Sequence, residues 1–318
     1  MKTAIISGIT GQDGAYLTQL LLQNNYKVIG LVRNILKVNS SGLSYLKVQN
    51  DVELVQCDLL DIKQITKIIE RYKPEEIYNL AAQSSVSASF ENPIYTFEFN
   101  TISVFNFLES IKTISPKIKF YQASSSEMCG KINQLPITES SVLHPLSPYA
   151  TSKVAAHFAC VNYRESYDMF VACGILFNHE SYLRSNNFFI KKVLLQSIAI
   201  SKGLQDKLVV GNVDIKRDFG YSPIYVEAMY KMLQHNTASD FLICSGESIS
   251  LRSIIYYVFE KLKIQKEKCI VSHELYRPNE ILDIYGDNSK AKQDLNWSYD
   301  YNFFQILDIL LEEELQNS

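Results

Sequence analysis

The sequence contains no CxxC pair, no long apolar run, no internal repeat and no marked excess of one charge. Each absence removes a class of protein. Cys57, Cys129, Cys160, Cys173, Cys244 and Cys269 stand singly, most of them in apolar stretches. That pattern points to reduced, buried thiols rather than a disulfide framework, and to no metal centre. No stretch approaches the roughly 18 apolar residues that span a bilayer. The short run at residues 3–7 ends at Gly8, with polar Gln12 and Asp13 following. The expectation is therefore a cytoplasmic protein with no membrane partner. A net charge of −3 argues against a nucleic-acid partner while leaving room for a local basic pocket. With no linker or low-complexity tail visible, two lobes would pack as one unit.

What is present is an ordinary globular composition, 47% apolar and 20% charged over 318 residues, enough for one large domain or two modest ones. The first half alternates β-rich runs with helical patterns. TAIIS, KVIGLV, VELVQCD, EEIYNLA, KIKFYQAS and FVACGILF are separated by helical stretches at Ala15–Gln23, Ile62–Tyr72, Ile94–Ile114 and Pro148–Tyr167. Repetition of strand, helix, strand predicts an α/β fold with a doubly wound, Rossmann-like parallel sheet. Beyond Asn178 the pattern becomes irregular. Residues 1–178 are expected to form the dinucleotide-binding domain, also receiving segments near 210–230, and residues 179–318 mainly a smaller substrate-binding lobe.

Gly8, Gly11 and Gly14, in GITGQDG, sit between a strand and a helix. Glycines there allow a tight turn and let the backbone approach a pyrophosphate, whose charge meets the helix N-terminus. The second strand ends at Arg33, where an NAD site would usually offer an acidic residue; a guanidinium can pair with a 2′-phosphate, so NADP is expected rather than NAD. Asp58 is placed to contact the adenine. Ala81, Ala82 and Asn100 fall where later strand ends meet the cofactor, and Gln12, Asp13, Leu59 and Ser84 complete the expected cofactor contacts.

Tyr149 and Lys153 lie four apart on one helix face. An ammonium beside a phenol lowers a pKa that is otherwise about 10, preparing the tyrosine to accept a proton from an alcohol. In a chain with 20 tyrosines that spacing alone means little. What lifts it is the strand running into Ser124, Ser125, Ser126 and Glu127, which a doubly wound sheet delivers to the same crevice. Oxidising an alcohol does not need Glu127. An acid/base group there can take a proton from the carbon beside a new ketone and protonate a departing hydroxyl, which is elimination of water.

Taken together, GITGQDG, YNLAAQSSVSASFENP, FYQASSSE, SPYATSK, NYRESY, GILFNHES, KRDFG and YRPNE resemble the extended short-chain dehydrogenase/reductase superfamily and, within it, the GDP-mannose 4,6-dehydratases. The resemblance implies a catalytic set of Ser125, in place of the usual threonine, with Glu127, Tyr149 and Lys153. It also implies that Ser84, Ser85, Asn178, Arg184, Lys192, Arg217 and Arg277 contact a GDP-sugar, and that the chain forms a homodimer or homotetramer. The implied reaction has three stages. Tyr149 takes the C4 hydroxyl proton as hydride leaves C4; Glu127 takes the C5 proton and assists loss of water from C6; the same hydride then returns to C6, with Tyr149 or Glu127 reprotonating C5.

Several positions depart from that family's pattern. The segment after Arg33 is shorter and lacks a second arginine. Tyr182 and Leu183 replace Pro-Arg, Tyr221 a histidine, Ile224 an aspartate, Ser85 a histidine and Cys129 a tyrosine. Alternative readings are a dehydratase of a related GDP-sugar such as a GDP-manno-heptose, an epimerase or 4-dehydrogenase that eliminates no water, and a non-catalytic NADP-binding regulator.

Overall fold

The structure, a computed structural model, describes residues 1–317. In the first half β1 (Lys2–Ser7), α1 (Gln12–Gln23), β2 (Tyr26–Val32), α2 (Ser41–Tyr45), β3 (Val52–Gln56), α3 (Ile62–Tyr72), β4 (Glu76–Asn79), α4 (Val86–Glu91), α5 (Pro93–Ile114), β5 (Lys119–Ser125), α6 (Pro148–Tyr167) and β6 (Val171–Leu176) follow one another. The second half holds β7 (Asn178–Glu180), α7 (Phe189–Ser201), β8 (Leu208–Val210), β9 (Lys216–Arg217), β10 (Phe219–Tyr221), α8 (Ser222–Gln234) and β11 (Asp240–Ile243). It closes with β12 (Ile249–Ser250), α9 (Leu251–Lys261), β13 (Cys269–Val271), α10 (Ser289–Leu295) and α11 (Phe303–Gln316).

The central sheet has seven strands in the order β11-β6-β5-β4-β1-β2-β3, all parallel. Its direction of winding reverses between β1 and β4, the point at which such sheets open a ligand crevice. Side chains alternate along each strand, so each strand feeds two cores. On β1, Ala4 and Ile6 join Leu17, Leu21, Tyr78, Tyr121, Met229 and Trp297 on the face covered by α1, α8 and α10. Ile5 joins Phe107, Leu108, Phe120 and Ala159 on the face covered by α3, α5 and α6. Each fully buried Ile, Leu or Phe stabilises the fold by about 1.5–3 kcal/mol.

The last sheet strand, β11, comes from the apolar run FLIC and pairs with β6. The sheet layer therefore continues well past residue 178. A separate core of Ile190, Val193, Leu208, Ile254, Phe259, Ile306 and Leu310 fills the smaller lobe. Among the described residues no helix is long and apolar enough to cross a membrane.

The helix that matters most for the site, α6, begins where local chemistry dictates. Ser147 Oγ accepts from the Ala150 N–H (3.1 Å), and Pro148 occupies the first turn, where its missing N–H costs nothing. It ends at Asp168, in the left-handed region at φ 52°.

Candidate active site

The crevice between β1 and β4 opens into a cavity of about 920 Å³ lined by the glycine turn, the ends of β2 and β4, and Leu183–Ser185. The three glycines do different work. Gly8 has φ +74°, and a Cβ on it would meet the Ala81 backbone nitrogen at 2.9 Å. A Cβ on Gly14 would lie 2.3 Å from Gly8 O and 2.6 Å from Ile9 Cα, so α1 packs directly on the turn. Gly11 meets only Gly8 O, at 3.2 Å, and as N-cap of α1 it supplies no side chain to the first helical N–H groups. Those donors and the positive end of the helix dipole are left for an anion, which is the cradle a pyrophosphate needs.

Gln12 and Asp13 line the same cavity but bond elsewhere in the protein. Asp13 accepts from His179 Nε2 (2.9 Å) and Ser222 Oγ (2.8 Å). Gln12 donates to the His179 carbonyl (3.1 Å) and accepts from Ser181 Oγ (2.7 Å). His179 Nδ1 also lies 2.7 Å from the Phe177 carbonyl. Burial pushes the Asp13 carboxyl up, yet the His179 charge and the bonds from His179 and Ser222 outweigh it and hold the pKa at about 2. His179 and Ser222 were missed in the sequence because pairings across 166 and 209 positions leave no local signal.

Arg33 is exposed on the cavity wall, its Nη1 donating to Tyr95 Oη (3.3 Å). Lys37, also passed over in the sequence, lines the same wall, as do Leu59, Ala81, Ala82 and Ser84. Asp58 is exposed at the end of β3 and turns its carboxylate to the Leu60 N–H (3.0 Å); its neighbours Cys57 and Leu59 are the ones that face the cavity. Asn100 is buried, accepting from the Gln83 N–H (2.8 Å) and donating to the Gln83 carbonyl (3.1 Å) and Ser152 Oγ (3.0 Å). It ties the loop after β4 to α6. Ser85 caps α4 through the Ala88 N–H (3.2 Å).

At the carboxyl end of β5, Ser125 lies within hydrogen-bonding reach of the Tyr149 phenol, and Glu127 stands close enough for its charge to act on the same phenol. All four residues that the sequence put forward for catalysis thus gather at one strand end. Lys153 Nζ donates to the Ala123 carbonyl (2.8 Å) and lies 5.8 Å from the centre of the Tyr149 ring. The expected lowering of the phenol by Lys153 is not what acts on it in the protein: burial pushes Tyr149 up to about 12, opposed by Ser125 and the Arg184 charge, and burial pushes Lys153 down to about 8.

The basic residues divide into two groups. Arg217 is buried, donating to the carbonyls of Lys216 (2.7 Å) and Ile281 (2.6 Å), and feels the charges of Glu127 and Arg277. Half-buried Asn178 donates to the Asp218 carbonyl at 3.5 Å. Arg184 instead lines the glycine-turn cavity, stacked on Phe188 (3.7 Å) and 3.4 Å from buried Glu180. Lys192 donates to the Val209 carbonyl (2.9 Å). Of the departures from the family pattern, Leu183 lines the cavity, Tyr182 stacks on Tyr45 (4.7 Å), Tyr221 and Ile224 pack against the core, and Cys129 is buried beside a second cavity of about 490 Å³.

A seven-stranded parallel sheet, an uncapped glycine turn at its switch point, and a Ser-Tyr-Lys group at the neighbouring strand end define an extended short-chain dehydrogenase/reductase. The crystal structure of dTDP-glucose 4,6-dehydratase from Bacillus anthracis superposes with a TM-score of 0.87 over 100% of this chain and 97% of that one, at 19% identity, and so shares the fold. The profile of a family described as GDP-mannose 4,6 dehydratase matches residues 5–310. GDP-mannose 4,6 dehydratase 1 of Arabidopsis thaliana is 38% identical over 99% of this chain and 90% of its own length. The Homo sapiens GDP-mannose 4,6 dehydratase is 36% identical over 99% and 92%. The chain belongs to the GDP-mannose 4,6-dehydratase family.

Proposed function

We propose that the protein converts a GDP-hexose, GDP-mannose by the family's pattern, into its 4-keto-6-deoxy form by internal hydride transfer and loss of water. The observation that carries this reading is Glu127, a carboxylate within electrostatic reach of both the Ser125–Tyr149 pair and buried Arg217. An alcohol dehydrogenase or 4-epimerase has no step that uses it.

The glycine cradle fits a dinucleotide, with Gly8, Gly11 and Gly14 at the pyrophosphate and Arg33 and Lys37 on the adenosine side. Their two cations favour a 2′-phosphate and hence NADP over NAD. A nicotinamide bound there would supply reversible hydride acceptance, from sugar C4 and back to C6. Tyr149, in its ionised form and facing Ser125, accepts the C4 hydroxyl proton, and a proton returns to C5 through Tyr149 or Glu127 when the hydride reaches C6. Lys153 holds positive charge beneath that site and is anchored on β5 by Ala123. Glu127 removes the C5 proton, made acidic by the C4 ketone, and delivers a proton to the C6 hydroxyl as it leaves as water. Asn178 and Arg217, with Arg277 within electrostatic reach of Arg217, are the groups assigned to a nucleoside diphosphate, where forked guanidinium groups suit phosphate oxygens.

Assembly into a homodimer is part of the proposal. Ile94, Phe97, Ile102 and Phe105 of α5 and Phe158 of α6 are exposed apolar residues on adjacent helices, an area suited to a second copy. Incubation with NADP⁺ and GDP-mannose, read by mass, is expected to show loss of one water from wild type and none from Tyr149→Phe, with cofactor binding retained. Absence of water loss from every GDP-sugar offered, or turnover by Tyr149→Phe, would overturn the reading. Arg33→Gln is expected to erase the preference for NADP over NAD; an unchanged preference removes Arg33 from that role.

A further inference from the structure

Tyr149, Lys153 and His157 recur every fourth residue on α6, so all three face β5, and all are buried. Each reaches one of three consecutive β5 residues. Tyr149 faces Ser125, close enough for that hydroxyl to act on the phenol, Lys153 donates to the Ala123 carbonyl (2.8 Å), and His157 Nδ1 bonds Ser124 Oγ (3.0 Å). The first two contacts belong to the catalytic set. Nothing in the mechanism uses the third.

His157 is itself held from behind. Its Nε2 lies 3.7 Å from Asp240 at the start of β11, and Arg164, also on α6, grips both oxygens of Asp240 (2.8 and 3.0 Å) while donating to the Val171 carbonyl (3.0 Å). Cys173 sits against the same ring and against Asp240. The donor atoms of His157, Cys173 and Asp240 lie within 4.8 Å of one another, but a cation there would have to displace the Arg164 fork. The cluster reads instead as a buried tether joining α6 to β5, β6 and β11.

We propose that His157 is a positioning residue: through Ser124 it sets the height of the β5 carboxyl end against α6, and thereby the Ser125–Tyr149 contact. Pairing with Ile175 and Leu176 of β6 fixes Ser124 and Ser125 along the sheet, so the His157–Ser124 bond acts on their spacing from α6, and displacement of a reacting group by about 1 Å can cost on the order of a hundredfold in rate. The kinetic part of this inference rests on the dehydratase reading above; the geometric part does not.

The test compares His157→Leu, His157→Gln, His157→Asn and Ser124→Ala in full-length protein. Asparagine can place an amide donor or acceptor where Nδ1 sits, whereas glutamine reaches the Nε2 position facing Asp240. Expected is a fall in kcat of at least about tenfold for the Leu, Gln and Ser124→Ala variants, a KM for GDP-mannose and an NADP⁺ affinity within about twofold of wild type, and recovery of most of the rate in His157→Asn. Independent of turnover, the Tyr149 Cζ signal of ¹³C-tyrosine-labelled protein, assigned with Tyr149→Phe, is expected to move in Ser124→Ala and His157→Leu and to stay in place in His157→Asn. Ser124→Ala removes one hydroxyl, so it decides the matter if His157→Leu does not fold. An unmoved Tyr149 signal in Ser124→Ala overturns the proposal, as does rescue by Gln equal to that by Asn. Variant signals that move as expected, alongside a wild type that dehydrates no GDP-sugar, overturn the functional reading alone.

Discussion

Replacing Asp13 by asparagine is expected to destabilise the protein without touching the reacting groups. The carboxyl titrates near 3.8 in an unfolded chain and near 2 in the fold. At about 1.4 kcal/mol per pH unit, that difference amounts to about 2 kcal/mol of stability. Because the folded pKa is the lower one, the contribution is fully present above about pH 4 and is lost as the pH falls towards 2. The amide of the Asp13→Asn variant would also turn an N–H₂ or an uncharged oxygen towards His179, leaving a buried donor poorly paired, at a further cost of about 1–3 kcal/mol. The expected total is therefore about 2–5 kcal/mol, measured by urea unfolding at about pH 7 for both proteins. Repeated from about pH 5 down towards pH 2, the difference should shrink as the Asp13 carboxylate is protonated. A loss under about 0.5 kcal/mol at about pH 7, or a difference that does not shrink towards pH 2, would refute the assignment of the low pKa to the His179 pair.

Three further substitutions probe other parts of the fold. Gly14→Ala places a Cβ against the Gly8 carbonyl and Ile9 Cα, both backbone; it should cost about 1–3 kcal/mol and weaken dinucleotide binding together, seen by thermal melting with and without NADP⁺. Lys191→Met leaves Glu314, its buried ion-pair partner, uncompensated, for a loss of about 3–5 kcal/mol by chemical denaturation; Lys191→Met/Glu314→Leu should recover much of it. Asp218 is buried and accepts from the Ser245 N–H (2.8 Å), Ser245 Oγ (2.7 Å) and the Gly246 N–H (3.1 Å). Asp218→Asn turns a donor onto donors and should lower stability by about 1–3 kcal/mol, with amide exchange at Gly246 rising first.

What could be read in the sequence was set by how local its cause is. The α6 boundaries, Pro148 and Tyr167, follow from the Ser147 cap, the first-turn proline and the left-handed Asp168, all within a few residues of the ends. The glycine turn was legible for the same reason, as was Ser125 to Glu127, since a strand end declares its own position. β11 was not: FLIC is too short to distinguish a lobe strand from a sheet strand, and only its register with β6 decides. Asp13 lines the glycine-turn cavity and Asn100 does not, and the polar atoms of both are engaged with Gln83, Ser152, His179 and Ser222. Hydrogen bonds between distant segments leave no periodicity to detect. The basic residues split for a related reason, because Arg184 follows the 178–181 segment to the glycine turn while Arg217 stays with Glu127.

The place of β11 at the sheet edge has a consequence for how the chain reaches its native state during synthesis. Strands β1 to β6 emerge from the ribosome first, and until residue 243 has followed them β6 presents an unpaired row of N–H and C=O groups, flanked by fully buried-type side chains. Such an edge is a template for pairing between nascent chains. The tether at Asp240 is the first residue of the strand that covers it, so the bond that holds α6 and the closing of that adhesive edge arrive in the same step.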